Sequence, residues 1–423
     1  MTPAFSMPRF RVTVVVLGDL GRSPRMLYHA RALADSGADV QLVGYEETEL
    51  PLEIATDPRI TVHVLQPPAV ARRHALPRPV FLLVASWNAV RAAASLLAAL
   101  SATIQPGSAL LVQNPPTIPA LAIALAVARI RRARLIVDWH NLGWAMLALR
   151  LGPRHPVVHL VRAVERLLGR RADAHLCVSR ALAAELARWG VGLATVFRDR
   201  PGMAFRPLPA GDRRQVKSEL ATRLHLPGLA DGSTPLLVSP TSWTADEDFD
   251  LLADAAVRWD QRVGPTRPPL AIVVTGEGPR RAEFERRFAA LRLHRVSLRT
   301  AWLAPGEYER FLGAADLGLC LHRSASGLDL PMKMADLFGA AVPVVAFDYG
   351  PCLAEIAREG DNALLFRTAD ELVECLRRAL DGFPDRATLL ERLRAGVARD
   401  TEERWGDAWT VAARPVLVPG VTG

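Results

Sequence analysis

Apolar residues along the chain gather in short β-branched runs separated by longer Ala-, Leu- and Arg-rich segments. The first series is TVVVLG (13–18), VQLVGY (40–45), ITVHVL (60–65), ALLVQN (109–114), RLIVDW (134–139), AHLCVS (174–179) and ATVF (194–197). Runs that are continuous instead of alternating predict strands buried on both faces, in a parallel sheet covered by helices. A second series follows: PLLVSP (235–240), AIVVTG (271–276), DLGLCL (316–321), VPVVAF (342–347) and ALLF (363–366). Between the two lies a Pro-, Gly- and Arg-rich stretch with few apolar runs, which reads as a linker. The expected organisation is α/β, with two doubly wound, Rossmann-like domains: residues 1–200, a linker at 201–232, residues 233–400, and a C-terminal helix and tail at 401–423. That helix is expected to run through Ala413. Such a pair of sheets is expected to face a central cleft, with ligands at the carboxyl ends of the strands. Architecture of this kind serves many chemistries and does not settle function.

Composition narrows the picture in three ways. Of 423 residues, 50% are hydrophobic and 23% charged, enough for two sizeable cores and unlike a disordered chain. The formal charge of +8 favours an anionic partner: phosphate, nucleic acid or an acidic membrane surface. The 52 basic residues include only two lysines, Lys217 and Lys333. Cys177, Cys320, Cys352 and Cys375 have no CxxC spacing and read as reduced core residues of a cytoplasmic protein, with no metal site implied. The N-terminal MTPAFSMPRF passes into a strand-like run without the apolar stretch of a signal peptide. The most apolar long window, 80–100, contains Asn88 and Arg91 and is not expected to span a membrane. A basic stretch, ARRHALPRP (71–79), precedes it, so the pair reads either as a surface for anionic lipid or as a buried helix with an Arg-bearing edge.

Several strand ends carry polar chemistry. GDLGRSPRM (18–26) places Gly18, Asp19, Gly21 and Ser23 at a strand-to-helix turn, where free N–H groups can meet phosphate; Ser23 with Pro24 also reads as an ordinary helix cap. DWHNLGW (138–144) puts Asp138, His140 and two indoles at the carboxyl edge of the first sheet. There they can deprotonate a hydroxyl and stack on sugar rings, or simply form a satisfied polar loop around a core tryptophan. In SPTSWTADEDF (239–249), Ser239, Thr241 and Ser242 can donate to phosphate, while Thr244 and Glu247 have capping-box spacing. Gly276 opens the turn GEGPR, a weak signal.

The stretch SASGLDLPMKMADLFG (324–339) is the most informative. If a helix begins at Pro331, Lys333 lies in its first turn, where its charge opposes the helix dipole by roughly 0.3 to 1 kcal/mol. A bound diphosphate would reverse that penalty. Asp336 falls on the same face and can pair with Lys333 or accept from a ribose hydroxyl.

Taken in order, VVVLGDLGRSPRM, VQNPPTIPALA, LIVDWHNLGW, CVSRAL, SWTADEDF, TGEGP, GAADLGLCLH, SGLDLPMKMADLFG and RWGDAW resemble the GT-B glycosyltransferases, and among them the chitobiosyldiphosphodolichol β-mannosyltransferase family. The likeness runs from Arg11 to Trp409. It implies a GDP-mannose donor on the second domain, a lipid-linked acceptor on the first, inverting transfer to a β-1,4 link, and no metal or other cofactor. Retaining relatives carry two glutamates in this loop; here the matching positions are Ser326 and Met334, which favours inversion. The resemblance gives Lys333, the backbone at Gly327, and Ser239, Thr241 and Ser242 to the departing diphosphate. It gives Asp329 to the mannose, Asp336 or Glu355 to the ribose, and Asp19, His140 or Asp138 the role of base. Eukaryotic members carry an N-terminal anchor not seen in this sequence, so the expected location is cytoplasmic, peripheral on the membrane surface. Two alternatives remain: another nucleotide sugar on an exopolysaccharide lipid intermediate, or a catalytically silent scaffold. No nucleic-acid motif accompanies the basic charge.

Overall fold

The structure, a computed structural model of the chain, describes residues 10–66, 78–261, 267–304, 306–418 and 420. The chain forms two compact units, one of residues 1–198 with Trp409–Gly423, the other Asp199–Ala408.

The first unit holds a seven-stranded sheet. Its strands are β1 (Arg11–Asp19), β2 (Asp39–Tyr45), β3 (Ile60–Val64), β4 (Ala109–Asn114), β5 (Arg134–Trp139), β6 (Ala174–Cys177) and β7 (Ala194–Val196). They pair in parallel in the order β3-β2-β1-β4-β5-β6-β7. The order reverses at β1 and β4, so loops leaving β1, β4 and β5 gather at one edge.

The second unit has β8 (Leu236–Pro240), β9 (Leu270–Thr275), β10 (Val296–Ala301), β11 (Leu317–Cys320), β12 (Val344–Phe347) and β13 (Ala363–Phe366), parallel in the order β10-β9-β8-β11-β12-β13. Leu236 and Val238 of β8 pack into one core and Leu237 into another, one on each face of the sheet. Period-two alternation between two apolar cores is why the sequence reads as an unbroken hydrophobic run. β10, VSLRTA, lies at the sheet edge with a mixed burial pattern, and for that reason carries no such run.

The structure corrects the expected boundaries. The segment 201–232, read as a linker, contains a helix, Ala210–Leu224, whose Val216 and Leu220 enter the second unit's core. Its Lys217 Nζ meets Asp316 Oδ2 at 2.6 Å, an ion pair that also includes Arg213 and Arg394. Its sequence, AGDRRQVKSELATRL, is polar around most of the helix and shows no apolar stripe, so pattern alone did not reveal it. The C-terminal segment does not stop at Ala413: a short helix Trp405–Ala408 widens into a π-helix, Trp409–Ala413, and continues as Arg414–Leu417. Pro415 is tolerated because it sits at the start of that last helical piece, where its missing N–H costs little.

All four cysteines are buried thiols outside any disulfide. Residues 71–77 of the basic stretch lie outside the described residues. The apolar window that follows belongs to a helix, Arg78–Thr103. Among the described residues no helix is long and apolar enough to cross a membrane.

Candidate functional sites in each unit

In the first unit the loop after β5 holds two of the expected groups. Asp138 is fully buried and accepts two hydrogen bonds from one guanidinium, Arg25 Nε at 2.8 Å and Nη2 at 2.9 Å. His140 Nε2 lies 3.0 Å from Asp138 Oδ2, and its side chain is 20% exposed. Burial works against ionising Asp138, but Arg25, with His140 and His29, outweighs it and holds the carboxyl well below its usual range. Asp138 is therefore an ionised, enclosed partner and not a base open to an acceptor. An ionised carboxylate only accepts, so the proton of neutral His140 sits on Nε2 and leaves Nδ1 basic.

Two expectations for this loop change. Trp139 is buried in the core, with its indole N–H donated to His175 Nδ1 at 3.2 Å, and does not offer a face to sugar. Trp144 lies under the guanidinium of Arg162, 4.8 Å from its ring centroid. The loop itself is set by Glu165, a buried carboxylate of the Pro156–Gly169 helix that accepts from Asn114 Nδ2 and Thr117 Oγ1, each at 2.7 Å, and from the N–H of Gly143 at 2.8 Å. It caps the helix Gly143–Leu151 from a neighbouring helix.

The turn after β1 is engaged internally. Asp19 Oδ1 accepts from the N–H groups of Glu47 and Thr48, both at 3.1 Å, and its Oδ2 from the Thr48 hydroxyl at 2.6 Å. The carboxylate ties down the loop after β2. Gly21 serves the same contact, because a Cβ there would stand 2.6 Å from the Thr48 carbonyl oxygen. Ser23 precedes the helix Pro24–Asp35, yet its hydroxyl donates back to the Asp19 carbonyl at 2.9 Å instead of capping the helix.

In the second unit the loop after β8 runs antiparallel to the end of β11, through a bridge between Glu247 and His322. This pairing separates the three acids of the DED cluster. Asp246 faces His322, with Oδ2 3.1 Å from Nδ1. Glu247, 2% exposed, accepts from the Thr241 hydroxyl, from the Ser242 N–H at 3.2 Å and from Lys333 Nζ. Asp248 Oδ1 accepts from the Leu251 N–H at 3.0 Å and so caps the helix Phe249–Gln261. The expected Thr244–Glu247 capping box is thus replaced: the helix starts later, and Glu247 turns inward to a cation.

Lys333 lies in the first turn of the helix Met332–Gly339, with Pro331 as its N-cap. Its expected partner, Asp336, is displaced by Glu247, which offsets the unfavourable dipole within the chain. Burial, then the charges of Asp199 and Glu309, push the carboxyl of Asp336 up to about 8. Glu355 lines a pocket with Leu330, Pro331, Ala335 and Phe338, the last three being the N-cap and two residues of the Lys333 helix.

Asp329 is also committed. His322 Nε2 lies 3.0 Å from its Oδ2, the Ser324 hydroxyl donates to its Oδ1, and the Tyr349 hydroxyl donates to its backbone carbonyl at 2.8 Å. Burial opposes charge on His322, but the flanking Asp246 and Asp329 outweigh it and raise the imidazole to about 9. The same loop has Gly327 at φ 72°, its N–H held by Ser324 Oγ at 2.8 Å, while Ser326 Oγ accepts from Leu328 N–H at 3.1 Å. Met334 is fully buried in the core. Ser239 is buried within β8, and only Thr241 and Ser242 reach the loop beyond it.

Gly276 and Gly278 explain the GEG turn. A Cβ on Gly276, which has φ 116°, would lie 1.9 Å from the Thr241 carbonyl oxygen, and one on Gly278 equally close to that of Ser242. Only glycine allows the turn after β9 to clasp the loop after β8. Trp243 seals this contact by donating its indole N–H to the Gly276 carbonyl at 2.9 Å.

Sequence reading missed Arg25, His29, Glu165 and His322. His322 was findable by the reasoning that found His140, since both directly follow a buried strand run at its carboxyl end. Among the described residues, no group of three or more His, Cys, Asp or Glu is arranged to hold a metal ion.

Comparison with known proteins agrees with this layout. The Glycosyl transferase 4-like domain profile matches residues 21–198, and the Glycosyl transferases group 1 profile matches 234–382. A chitobiosyldiphosphodolichol beta-mannosyltransferase of Mus musculus is 36% identical over 96% of this chain and 89% of its own. One from Yarrowia lipolytica is 37% identical over 97% of this chain and 86% of its own. The UDP-glycosyltransferase TURAN of Arabidopsis thaliana is 36% identical over 98% of both chains. In fold, the chain is similar to an alpha,alpha-trehalose-phosphate synthase (UDP-forming) from Burkholderia xenovorans, with a TM-score of 0.65 at 15% identity over 95% of this chain and 98% of that one. With two parallel Rossmann-like units, and with 36% and 37% identity to these mannosyltransferases over nearly its whole length, this chain belongs to the chitobiosyldiphosphodolichol beta-mannosyltransferase family of GT-B glycosyltransferases.

Proposed function

We propose that the chain transfers mannose from GDP-mannose to a lipid-diphosphate-linked GlcNAc acceptor, with inversion, forming a β-1,4 link. The observation that carries the mechanism is the Asp138–His140 pair at the carboxyl end of β5. Nδ1 of His140 takes the proton of the acceptor 4-hydroxyl as that oxygen bonds to mannose C1 and the bond from C1 to the diphosphate oxygen breaks. Negative charge then grows on GDP. Lys333 and the N-terminus of the Met332–Gly339 helix meet it, without a metal, while the N–H groups of Gly327 and Leu328 are spent inside their own loop on Ser324 and Ser326. The donor loop supports inversion because Ser326 and the buried Met334 occupy the positions where retaining relatives hold glutamates. Asp336, largely protonated near neutral pH, donates a hydrogen bond to a ribose hydroxyl.

A membrane-facing surface fits a lipid-linked acceptor. On the Arg78–Thr103 helix, Val80, Trp87, Val90 and Leu97 are exposed at spacings of one helical stripe. That helix packs on the neighbouring helix Ala120–Arg131, which packs on Pro156–Gly169, where Val157, Leu160 and Leu167 are exposed beside Arg154 and Arg166. Apolar side chains among arginines suit an anionic lipid surface. Four cysteines outside any disulfide favour the cytoplasmic side.

Mannose transfer from GDP-mannose to a lipid-diphosphate GlcNAc2 acceptor tests the reading. His140→Ala is expected to lower turnover by about 10²- to 10⁴-fold. Wild-type turnover in that variant would remove His140 as the base, and no transfer by the unmodified protein would remove the substrate assignment. A second reading, a UDP-sugar donor, is favoured by the likeness to the UDP-glycosyltransferase TURAN. A larger thermal shift with UDP than with GDP would select it.

A further inference from the structure

The Asp138 carboxylate is the centre of a buried network that reaches beyond the loop it belongs to. Arg25, which grips both of its oxygens, also donates Nη1–H to the carbonyl of Phe197 at 2.9 Å, and its guanidinium lies 4.5 Å from the centroid of the Phe197 ring. His29, one turn along the same helix and fully buried, has Nε2 3.3 Å from Asp138 Oδ2. Its other nitrogen, Nδ1, accepts the indole N–H of Trp409 at 3.0 Å. An indole nitrogen only donates, so His29 Nδ1 carries no proton and the ring proton must sit on Nε2, toward Asp138. Burial keeps this imidazole neutral, lowering it from its ordinary range.

Among the described residues, Arg25 and His29 from the Pro24–Asp35 helix and His140 from the loop after β5 all present nitrogen to the carboxylate. Phe197 and Trp409 hold the outer ends of the network. They stand beside the two points, 198/199 and 408/409, where the chain passes between its units. Trp409 also begins the π-helical turn, a local widening of the helix that often marks a functional position.

We propose that Arg25, His29 and Trp409 are positioning residues that orient the Asp138 carboxylate and so select the tautomer of His140 in which Nδ1 is free to take the acceptor proton. This rests on the reading of His140 as the base. Trp409 supplies the one-way donor that sets His29, His29 and Arg25 hold Asp138, and Asp138 holds Nε2–H of His140.

The test uses the full chain in the mannose-transfer assay, from about pH 5 to pH 9, across the titration range of histidine. Trp409→Phe removes the indole N–H while keeping an aromatic ring. It is expected to lower kcat by about 10- to 100-fold through misplacement of the base, to leave KM for GDP-mannose unchanged, and to move the acid limb of the kcat profile. His29→Leu is expected to do the same. His29→Gln, whose amide can accept from Trp409 and donate to Asp138, is expected to restore most of the loss. If Trp409→Phe and His29→Leu keep wild-type kcat and pH profile while His140→Ala loses turnover, the positioning roles are wrong and the base assignment stands. If His140→Ala retains turnover, the base assignment itself is wrong. Should His29→Leu fail to fold, ring-nitrogen NMR of ¹⁵N-histidine-labelled wild-type protein decides instead: a proton on Nε2 of both His29 and His140 is expected, and one on Nδ1 of either overturns the proposal.

Discussion

The two polar centres have opposite electrostatic designs. In the first unit one buried anion, Asp138, is surrounded by Arg25, His29 and His140. In the second, two cations, Lys333 and His322, are each held by carboxylates: Glu247 for one, Asp246 and Asp329 for the other. An anion hub fixes the proton of a neighbouring imidazole on the nitrogen that faces it, whereas the caged Lys333 keeps positive charge at a helix start where a diphosphate can use it. Each arrangement suits one half of a transfer reaction that removes a proton at one end and releases an anion at the other.

The largest effects should come from breaking either centre on one side only. Arg25→Ala strands Asp138, and Lys333→Ala strands the buried Glu247; each is expected to cost about 3 to 5 kcal/mol in denaturant unfolding. Replacing both partners, as in Lys333→Met with Glu247→Leu, should recover most of that stability without recovering mannose transfer. A double variant as unstable as Lys333→Ala would show that the pair is structural cement first.

A pH titration separates the centres next. His322 is raised from 6.5 to about 9, so its contribution is complete below about pH 6.5 and is lost as the pH rises through 9, on the order of 3 kcal/mol. Asp138 is depressed, so its contribution is present above the ordinary carboxylate range and is lost only in acid. Between pH 7 and 9 the wild type should therefore lose unfolding free energy and His322→Gln should lose much less. Equal slopes for the two would break the contrast.

The smallest effect belongs to the surface. Changing Arg154 and Arg166 to glutamate should weaken flotation with acidic liposomes by about 1 kcal/mol for each arginine charge removed, with unfolding unchanged. Undiminished flotation would move the lipid contact elsewhere.

Much of this was legible because it depended on local pattern. Buried parallel strands announce themselves as unbroken apolar runs, and residues just beyond them, such as His140, fall at the carboxyl edge by topology alone. Edge strand β10 did not announce itself, since its exposed positions are polar. The helix Ala210–Leu224 was hidden in a basic, proline-flanked segment.

The sequence by itself determined two parallel sheets, the glycine turns and a lysine at a helix start, and its resemblance to the family set Ser326 and Met334 where retaining relatives carry glutamates. Tertiary structure alone decided which charges meet. Glu247 finds Lys333 across 86 residues, Asp138 finds Arg25 across 113, and Trp409 finds His29 across 380. Local spacing favoured Thr244 for Glu247 and Asp336 for Lys333. Both gave way because a buried charge must find its strongest partner in space, wherever the chain brings it.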